Sequence, residues 1–232
     1  MARAKSPFPI FIKPPVYDSY TKLMLHLDNS ISDSSSLVKP MTDVGVIFSP
    51  SIYKFGGYAG VFNGTNSYIT TPHHDDFCFG ASDFTIDAWI YSTDVSLPQT
   101  IVSKQNKDNI SWCIYANNYG NPNYGVRFLF CREGENTQVD RDFPFTFSNN
   151  TWYHIAVVRA SGNLKVYING NSIGSQALTD NIRAGTRRVD VGGHEWTPFG
   201  MGNIWKGNID ELRISKGIAR WTSNFTPPTS PY

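Results

Sequence analysis

Hydrophobic and polar residues alternate with a period of two along most of this chain. The segment FTIDAWIY, residues 84–91, places Phe84 and Ile86 on one side and Thr85 and Asp87 on the other. Successive side chains of a β-strand point to opposite faces, so the alternation predicts a strand with one face toward a core. Roughly a dozen such runs follow one another between short turn segments, which is typical of an all-β antiparallel sandwich or barrel.

Residues 150–174, NTWYHIAVVRASGNLKVYINGNSIG, contain two apolar runs and two turn signals. The first run includes four successive apolar positions, IAVV, which predict a central strand buried on both faces. Asn169-Gly170 suits a type I′ turn, in which both central residues need a positive φ. We therefore predict a three-stranded meander, in which His154 has a structural role and not a catalytic one.

The composition fits one large β domain. The chain has 232 residues, of which 40% are hydrophobic and 14% aromatic, enough for a sizeable core. The formal net charge of +1 gives no overall attraction to nucleic acid or to an anionic membrane, so we expect neither as a partner. The three cysteines, Cys78, Cys113 and Cys131, are an odd number without metal-ligand spacing. Cys113 and Cys131 have apolar neighbours and are expected to be buried thiols.

The two ends of the chain differ from its middle because both are rich in proline. The chain begins MARAKSPFPIFIKPP, where four prolines interrupt the apolar positions. A secretion signal needs an unbroken apolar segment, so we expect an extended arm at residues 1–19 instead. A β domain at residues 20–225 and a proline-rich tail at residues 226–232 follow.

Several segments, in their order along the chain, resemble the laminin G-like, concanavalin A-like jelly-roll domains. They include FTIDAWIY, then NTWYHIAVVRASGNLKVYING, and finally GNIDELRISKGIARW at residues 207–221. The pattern is most similar to the microbial and viral branch of that superfamily, and the resemblance extends over about residues 20–225. It implies an antiparallel jelly-roll β-sandwich.

The resemblance also implies a role in binding. Domains of this type bind sugars, proteins or lipids, often with calcium, and others serve as structural modules. The opening YTKLMLHLDNS, from Tyr20, resembles copies found in bacteriophage virion proteins. We therefore expect a non-catalytic module on the virion surface, a capsid-decoration or tail-associated protein. Its residues 1–19 would contact other virion subunits or further copies of the chain, and its loops would contact host glycans or proteins. Without virion association we expect a cytoplasmic protein.

Two alternatives belong to other functional classes. One is a stand-alone, calcium-dependent lectin. The weaker one is a glycoside hydrolase, which needs two carboxylates on opposite sides of the sugar bond. The retaining jelly-roll glucanases carry a strand of the type E-[IL]-D-x-x-E, whereas Asp210 and Glu211 in NIDELRIS are adjacent and would face opposite sides of a strand.

Calcium is the metal that the resemblance implies. Related jelly rolls often hold one ion where the first strand ends and the last strand passes, and Asp28 and Asp210 match these positions. Asp33 is expected to assist, since calcium takes six to eight oxygen ligands. The alternative for Asp210 is a hydrogen bond to neighbouring backbone or a pair with an arginine. The cluster TPHHDDF, residues 71–77, is expected to be an exposed loop, because adjacent residues of an extended chain cannot all reach one metal ion.

Two loops carry the side chains that sugar recognition needs, namely flat aromatic rings beside amides and acids. The candidate ligand-binding residues in YANNYGNPNYG and GGHEWTPFGMGNIW are Tyr115, Asn118, Tyr119, Tyr124, His194, Glu195, Trp196 and Phe199. The alternative is that Trp196 and Phe199 cover an open end of the sandwich or pack against a neighbouring subunit.

Overall fold

A computed structural model describes residues 18–116, 125–196 and 200–232. Apart from a 3₁₀ helix at Asp75–Phe77, the regular structure is β. The strands are β1 (Thr21–Leu25), β2 (Thr42–Val44), β3 (Ile47–Ser49), β4 (Ala59–Asn63), β5 (Tyr68–Thr71), β6 (Phe84–Ser92), β7 (Gln99–Asn106), β8 (Asn109–Ala116), β9 (Val126–Cys131), β10 (Gln138–Phe143), β11 (Trp152–Ala160), β12 (Asn163–Ile168), β13 (Asn171–Ala177), β14 (Val189–Val191), β15 (His194–Glu195), β16 (Met201–Gly202) and β17 (Lys206–Lys216).

The strands form two antiparallel sheets. Sheet A has eight strands in the order β13-β12-β11-β6-β17-β4-β3, with β1 also paired to β17. Sheet B has seven strands in the order β10-β9-β8-β7-β14-β5-β2, and β15 and β16 form a separate small hairpin. The chain passes repeatedly between the sheets, which is the jelly-roll arrangement of a β-sandwich. The predicted fold class is confirmed.

The inner faces of both sheets meet in one large apolar core. Sheet A contributes alternate residues such as Ile86 and Val157, and sheet B contributes Trp112 and Phe128. All four are at most 2% exposed. Cys113 and Cys131 are buried thiols without a disulfide, as predicted.

The predicted meander is confirmed as β11, β12 and β13. β11 lies between β12 and β6, and its IAVV run is buried on both faces, Ile155 and Val157 in the core and Ala156 and Val158 beneath Trp221 and Phe225. Asn169 and Gly170 have φ values of 49° and 77°, as a type I′ turn requires. His154 is fully buried on the outer face of sheet A, in agreement with a structural role.

β17 organises sheet A. Its first half pairs with β4 and its second half with β1, so two strands share one edge of it in succession. At this change of partner the register shifts between Asp210 and Arg213, and Glu211 has a φ of 50°. Such a bulge redirects side chains that a regular strand would alternate strictly.

The turn after β4 connects the two sheets. Asn63 Oδ1 accepts hydrogen bonds from the backbone N–H groups of Thr65 and Asn66 at 2.8 and 2.9 Å, which fixes the turn. β4 belongs to sheet A and β5 to sheet B, so the two strands do not pair as a hairpin. Within the described ranges, no helix is long and apolar enough to cross a membrane.

The tail packs on the outer face of sheet A. Trp221 and Phe225 stack with ring centroids 4.0 Å apart and cover Ala156, Val158 and Tyr167. Residues 226–232, predicted to be a separate tail, continue across this face, where the Tyr232 hydroxyl donates to Asp87. The predicted arm is described only from residue 18 onward.

Candidate functional site

The outer face of sheet B carries a row of polar and aromatic side chains beneath the β15–β16 hairpin. Cross-strand register aligns Asp190 with Ser103 and Ser103 with Cys113. Ser103 Oγ donates to the carbonyl of Gly193 at 3.0 Å, which anchors the start of the hairpin on this face. We refer to the surface formed by Gln105, Tyr115, Arg188, Asp190 and the hairpin residues 194–196 as the sheet-B face.

Three aromatic rings among the predicted ligand-binding residues come together on the sheet-B face. The rings of Tyr115 and His194 meet edge to face with centroids 5.6 Å apart, and His194 meets Trp196 in the same way at 5.8 Å. Such edge-to-face pairs are favourable aromatic geometries. The result is a continuous row of rings that starts in β8 and ends at the tip of the hairpin.

Only the end of this row reaches solvent. Tyr115 and His194 are 8% and 4% exposed, whereas Trp196 is 43% exposed. Thr100 Oγ1 lies 3.0 Å from His194 Nδ1, and burial lowers the pKa of His194 to about 4, so the ring is neutral near pH 7. We predicted Tyr115 and His194 as loop residues that hold a ligand directly, but the packing makes them the support on which Trp196 rests.

Polar groups line the same face. Gln105 Nε2 donates to the Tyr115 hydroxyl at 2.8 Å, and Arg188 Nε donates to Asp190 Oδ1 at 2.8 Å. Arg187 Nη2 donates to Glu195 Oε2, so the predicted residue Glu195 is held in an ion pair. Gln105 Oε1 and Asp190 Oδ2 are buried, and neither has a hydrogen-bond partner among the residues described.

Asp190 has an unusual environment for a carboxyl group. Burial raises its pKa to about 6, although the neighbouring Arg188 guanidinium favours the ionised form. The side chain is 0% exposed, and Arg188 also lies over the Tyr68 ring at 5.5 Å. Near neutral pH the sheet-B face therefore holds a buried carboxylate whose charge the Arg188 guanidinium compensates only in part.

Four other predicted ligand residues, Asn118, Tyr119, Tyr124 and Phe199, lie outside the described residues. Three residues of the sheet-B face were missed by the sequence reasoning. Arg188 and Asp190 could have been predicted to share one face of a strand, because in RRVDVGG they alternate with the buried Val189 and Val191. Gln105 could not have been predicted in this way, since β7 is buried at almost every position and its sequence does not distinguish a polar face.

A second group of side chains lies where the pairing partner of β17 changes from β4 to β1. Asp210 Oδ2 accepts hydrogen bonds from the backbone N–H groups of Lys54 and Phe55 at 2.8 and 3.1 Å. This agrees with the backbone role that was the alternative for Asp210. Asp28 follows β1 and lies against Gly56, where an added Cβ would approach its carboxylate to 1.8 Å.

The predicted pair Asp28 and Asp210 fits a cation. Burial raises the pKa of Asp210 to about 7, with further contributions from Glu211 and Asp28, and burial also raises the pKa of Asp28. The Oδ1 atoms of both aspartates are buried, and the described part of the chain offers neither a hydrogen-bond partner. Each of the two carboxylates therefore has one buried oxygen without a hydrogen-bond partner among the described residues. Such a pair suits a divalent ion that prefers oxygen ligands.

Asp33, predicted to assist as a calcium ligand, accepts four hydrogen bonds from neighbouring groups. Its Oδ1 accepts from the backbone N–H of Met24 at 3.0 Å and of Ser35 at 2.9 Å, and its Oδ2 accepts from Ser35 Oγ and the N–H of Lys39. All these bonds hold the loop after β1 in place. Asp28, Asp33 and Asp210, all of them described, do not form a compact trio of ligand atoms.

The buried acids of sheet A are engaged in structural contacts. Asp87 accepts from Arg213 Nε and Nη2, both at 3.1 Å, and Glu211 contacts His26 Nδ1 at 2.8 Å. Asp210 and Glu211 were expected on opposite sides of a regular strand, but they lie at the bulge of β17. Neither engagement resembles a pair of carboxylates open to a sugar bond.

Comparison with known proteins agrees with this architecture. A family model described as the concanavalin A-like lectin/glucanases superfamily matches residues 63–220. No curated protein matches the sequence. Among solved structures, domain 4 of AbnA, a GH43 extracellular arabinanase from Geobacillus stearothermophilus in complex with arabinotriose, is similar with a TM-score of 0.66 and 21% identity. That similarity covers 86% of this chain and 93% of the arabinanase domain.

Binding domains of toxins are similar as well. The binding domain of botulinum neurotoxin serotype D gives a TM-score of 0.64 at 16% identity, over 86% of this chain and 49% of the toxin domain. The binding domain of botulinum neurotoxin DC in complex with SialylT gives 0.61 at 18% identity, over 86% and 48%. This chain therefore spans about half the length of these toxin domains. At these identities the similarity shows the fold.

Proposed function

Because the chain belongs to the concanavalin A-like lectin/glucanase superfamily, we propose that it is a non-catalytic carbohydrate-binding module whose ligand lies on the sheet-B face. The observation that carries this proposal is the row of rings from Tyr115 through His194 to the exposed Trp196. A half-exposed indole held rigidly from behind is the surface on which the CH groups of a sugar ring stack.

The polar groups around Trp196 suit the hydroxyls of a sugar. Glu195 and Arg188 are partly exposed beside the ring row, with an acceptor and a donor group respectively. A few fixed polar groups next to an aromatic surface provide orientation, while the ring provides most of the contact area. The printed descriptions of two structural relatives name sugar complexes, arabinotriose and SialylT, which supports a glycan as the ligand class.

The absence of catalysis is part of the proposal. Glu195 and Asp190, the carboxylates of the sheet-B face, are each paired with an arginine. A general acid and a nucleophile need to reach the scissile bond. Asp190 is fully buried, and the Glu195 carboxylate is held by the Arg187 guanidinium. Domains of this superfamily also serve widely as binding modules, in agreement with this view.

Calcium is proposed as a structural cofactor at Asp28 and Asp210. The two orphaned Oδ1 atoms support it, because a divalent cation would compensate the buried charges. When bound, calcium supplies positive charge that ties the end of β1 to the middle of β17. Asp28 and Asp210 would hold it, while the N–H groups of Lys54 and Phe55 keep Asp210 oriented.

The setting that we propose is the surface of a bacteriophage virion. Support comes from the sequence resemblance of the segment that opens with Tyr20. In that setting residues 1–19 contact other virion subunits or a further copy of the chain, and the sheet-B face is left for host glycans. Co-sedimentation of the protein with particles tests this setting separately from glycan binding.

The binding proposal is tested on the full chain with a glycan array, followed by calorimetry on the best sugar. Trp196→Ala should weaken binding about tenfold or more, since loss of one stacked ring costs at least about 1.4 kcal/mol. The matched control is Tyr20→Ala, an aromatic side chain of similar exposure, 44%, outside the sheet-B face. Equal affinities of both variants, or no glycan bound by the parent, would contradict the proposal.

A further inference from the structure

The 3₁₀ helix Asp75–Phe77 lies in the segment that was expected to be an exposed, extended loop. The chain there is turned: the N–H of Phe77 donates to the carbonyl of His74 at 3.1 Å, and the N–H of Cys78 donates to that of Asp75 at 3.0 Å. The turn separates the side chains into two groups. An extended backbone would keep adjacent side chains from reaching one metal ion, whereas this turn brings some of them to one side.

One group is engaged in an ion pair with a lysine and in the cap of the turn. Asp76 Oδ2 lies 2.8 Å from Lys39 Nζ, and His74 Nδ1 accepts from the N–H of Asp76 at 3.1 Å. Asp76 fastens the turn to the loop after β1, and His74 caps the turn. They are not available as metal ligands in this arrangement.

The other group is His73, Asp75 and Cys78. One ligand atom from each, an imidazole nitrogen, a carboxylate oxygen and the Cys78 sulfur, lie within 4.8 Å of one another. Among all the residues that the structure describes, this is the one cluster of three such donors with that spacing. His73 Nε2 and Asp75 Oδ1 are 3.6 Å apart.

We propose that His73, Asp75 and Cys78 form a zinc-binding site with a fourth coordination position open to solvent. Nitrogen, sulfur and carboxylate oxygen are the donors of zinc sites, at about 2.0–2.3 Å from the metal. Tetrahedral bonds of that length set the donors roughly 3.3–3.8 Å apart. The observed spread of 4.8 Å closes by small rotations of His73 and Asp75, whose side chains are both exposed.

The backbone of this site is held from several directions. Phe77 is fully buried in the core, and its carbonyl accepts from Trp112 Nε1 at 2.9 Å. Lys216 Nζ donates to the carbonyl of Asp75 at 2.8 Å. A turn that is fixed before metal arrives loses little conformational entropy on binding, because mainly the two exposed side chains must be ordered.

The electrostatic balance also permits a divalent cation. Lys104 lies beside Cys78, and its Nζ is held by the carbonyls of Ala184 and Gly185 at 2.5 and 2.7 Å. Zinc binds the thiolate form of cysteine, so metal binding at Cys78 would release the thiol proton. A Cys78 thiolate and the Asp75 carboxylate would supply two negative charges to the metal, beside the ammonium groups of Lys104 and Lys216.

The softness of the ligand set separates this site from the pair Asp28 and Asp210. Thiolate and imidazole favour zinc and similar transition metals, whereas an all-oxygen set favours calcium. The zinc site and the glycan-binding proposal are independent of each other, since none of the three ligands belongs to the sheet-B face.

Cobalt(II) is the probe, titrated into the reduced, metal-free full chain. The expected result is a sulfur-to-cobalt charge-transfer band together with the strong visible bands of tetrahedral cobalt, both bleached by zinc. Cys78→Ser should abolish the charge-transfer band, and Asp75→Asn should weaken cobalt binding at least tenfold. His74→Asn, in the same turn but outside the cluster, and Asp210→Asn should leave the spectrum unchanged.

Two results would overturn the proposal. One is a parent protein that shows no charge-transfer band, and the other is a band that survives in Cys78→Ser, since Cys113 and Cys131 are buried. Circular dichroism establishes that Cys78→Ser is folded. Should that variant not fold, Asp75→Asn decides alone, because the Asp75 side chain is 95% exposed and its loss leaves the core intact.

Discussion

Arg188 directly precedes β14 and Asp190 lies in its middle, and the Arg188 guanidinium compensates one oxygen of the fully buried Asp190 carboxylate. The other oxygen has no partner within the described ranges. With a pKa of about 6 in the folded protein against an ordinary value of 3.8, the ionised form costs the folded state about 3 kcal/mol. The contribution of Asp190 to stability is therefore greatest below pH 3.8 and is lost as the pH rises through 6.

Asp190→Asn should consequently stabilise the protein in a pH-dependent way. We expect a gain of about 1–3 kcal/mol near pH 8 and less than about 1 kcal/mol near pH 4, because asparagine imitates the protonated acid. Urea unfolding at both pH values measures this. Asp142→Asn is the control, since Asp142 pairs with Arg127 in a partly exposed position on the same sheet, and it should cost less than about 1 kcal/mol at either pH. A gain that does not depend on pH would contradict the assignment.

Calcium should raise the melting temperature of the protein, and a chelator should reverse the rise. At a calcium concentration of about 100 times the dissociation constant, the stabilisation is about 2.7 kcal/mol. Asp210→Asn should abolish the response, because it removes one of the two carboxylates with an orphaned oxygen. Asp33→Asn should instead lower stability by about 1–3 kcal/mol through its lost backbone hydrogen bonds, and keep the calcium response. If both variants lost the calcium-dependent rise in melting temperature, Asp33 would also be a calcium ligand.

The Tyr232 hydroxyl should contribute to global stability. It donates to the buried Asp87, lies 3.1 Å from His154 Nε2, and its ring faces the Arg213 guanidinium at 3.8 Å. Tyr232→Phe keeps the ring contact but removes one donor from a buried carboxylate, so we expect a loss of about 1–2 kcal/mol in urea unfolding. Tyr153→Phe is the control, because the Tyr153 hydroxyl accepts one hydrogen bond in an exposed position, and it should change stability by less than about 0.5 kcal/mol.

Gly170 and Gly134 offer a matched test of the meander turn. Both have a φ of 77°, so alanine is strained by about 1 kcal/mol at either position. A Cβ at Gly170 would lie 1.9 Å from the carbonyl oxygen of Phe225, whereas nothing lies within 4 Å of one at Gly134. Gly170→Ala should therefore cost at least about 1 kcal/mol more than Gly134→Ala. Equal losses would mean that the tail does not pack against the turn.

The alternation of side chains is a local property, so the sequence by itself determined the strands. The IAVV run became part of β11, and Asn169-Gly170 became the turn between β12 and β13, because the strand and turn conformations depend mainly on neighbouring residues. The resemblance to a jelly roll extended the same information to the whole sandwich. The resemblance also predicted that Asp28 and Asp210 lie close together, although they are 182 positions apart in the sequence (210 − 28). No local pattern can predict such a pair.

Burial and convergence were decided only by the tertiary structure. Tyr115 and His194 lie in segments with the composition of exposed loops, but the hairpin folds back on sheet B and leaves only Trp196 in solvent. His73 and Cys78 become neighbours through a 3₁₀ turn that is fixed by Phe77 in the core and by Trp112 from another strand. These relationships depend on which sheet each strand joins and what then covers it. The alternation of hydrophobic and polar residues shows which side chains share a face of a strand. It does not show which other strand pairs with that strand or what covers the face.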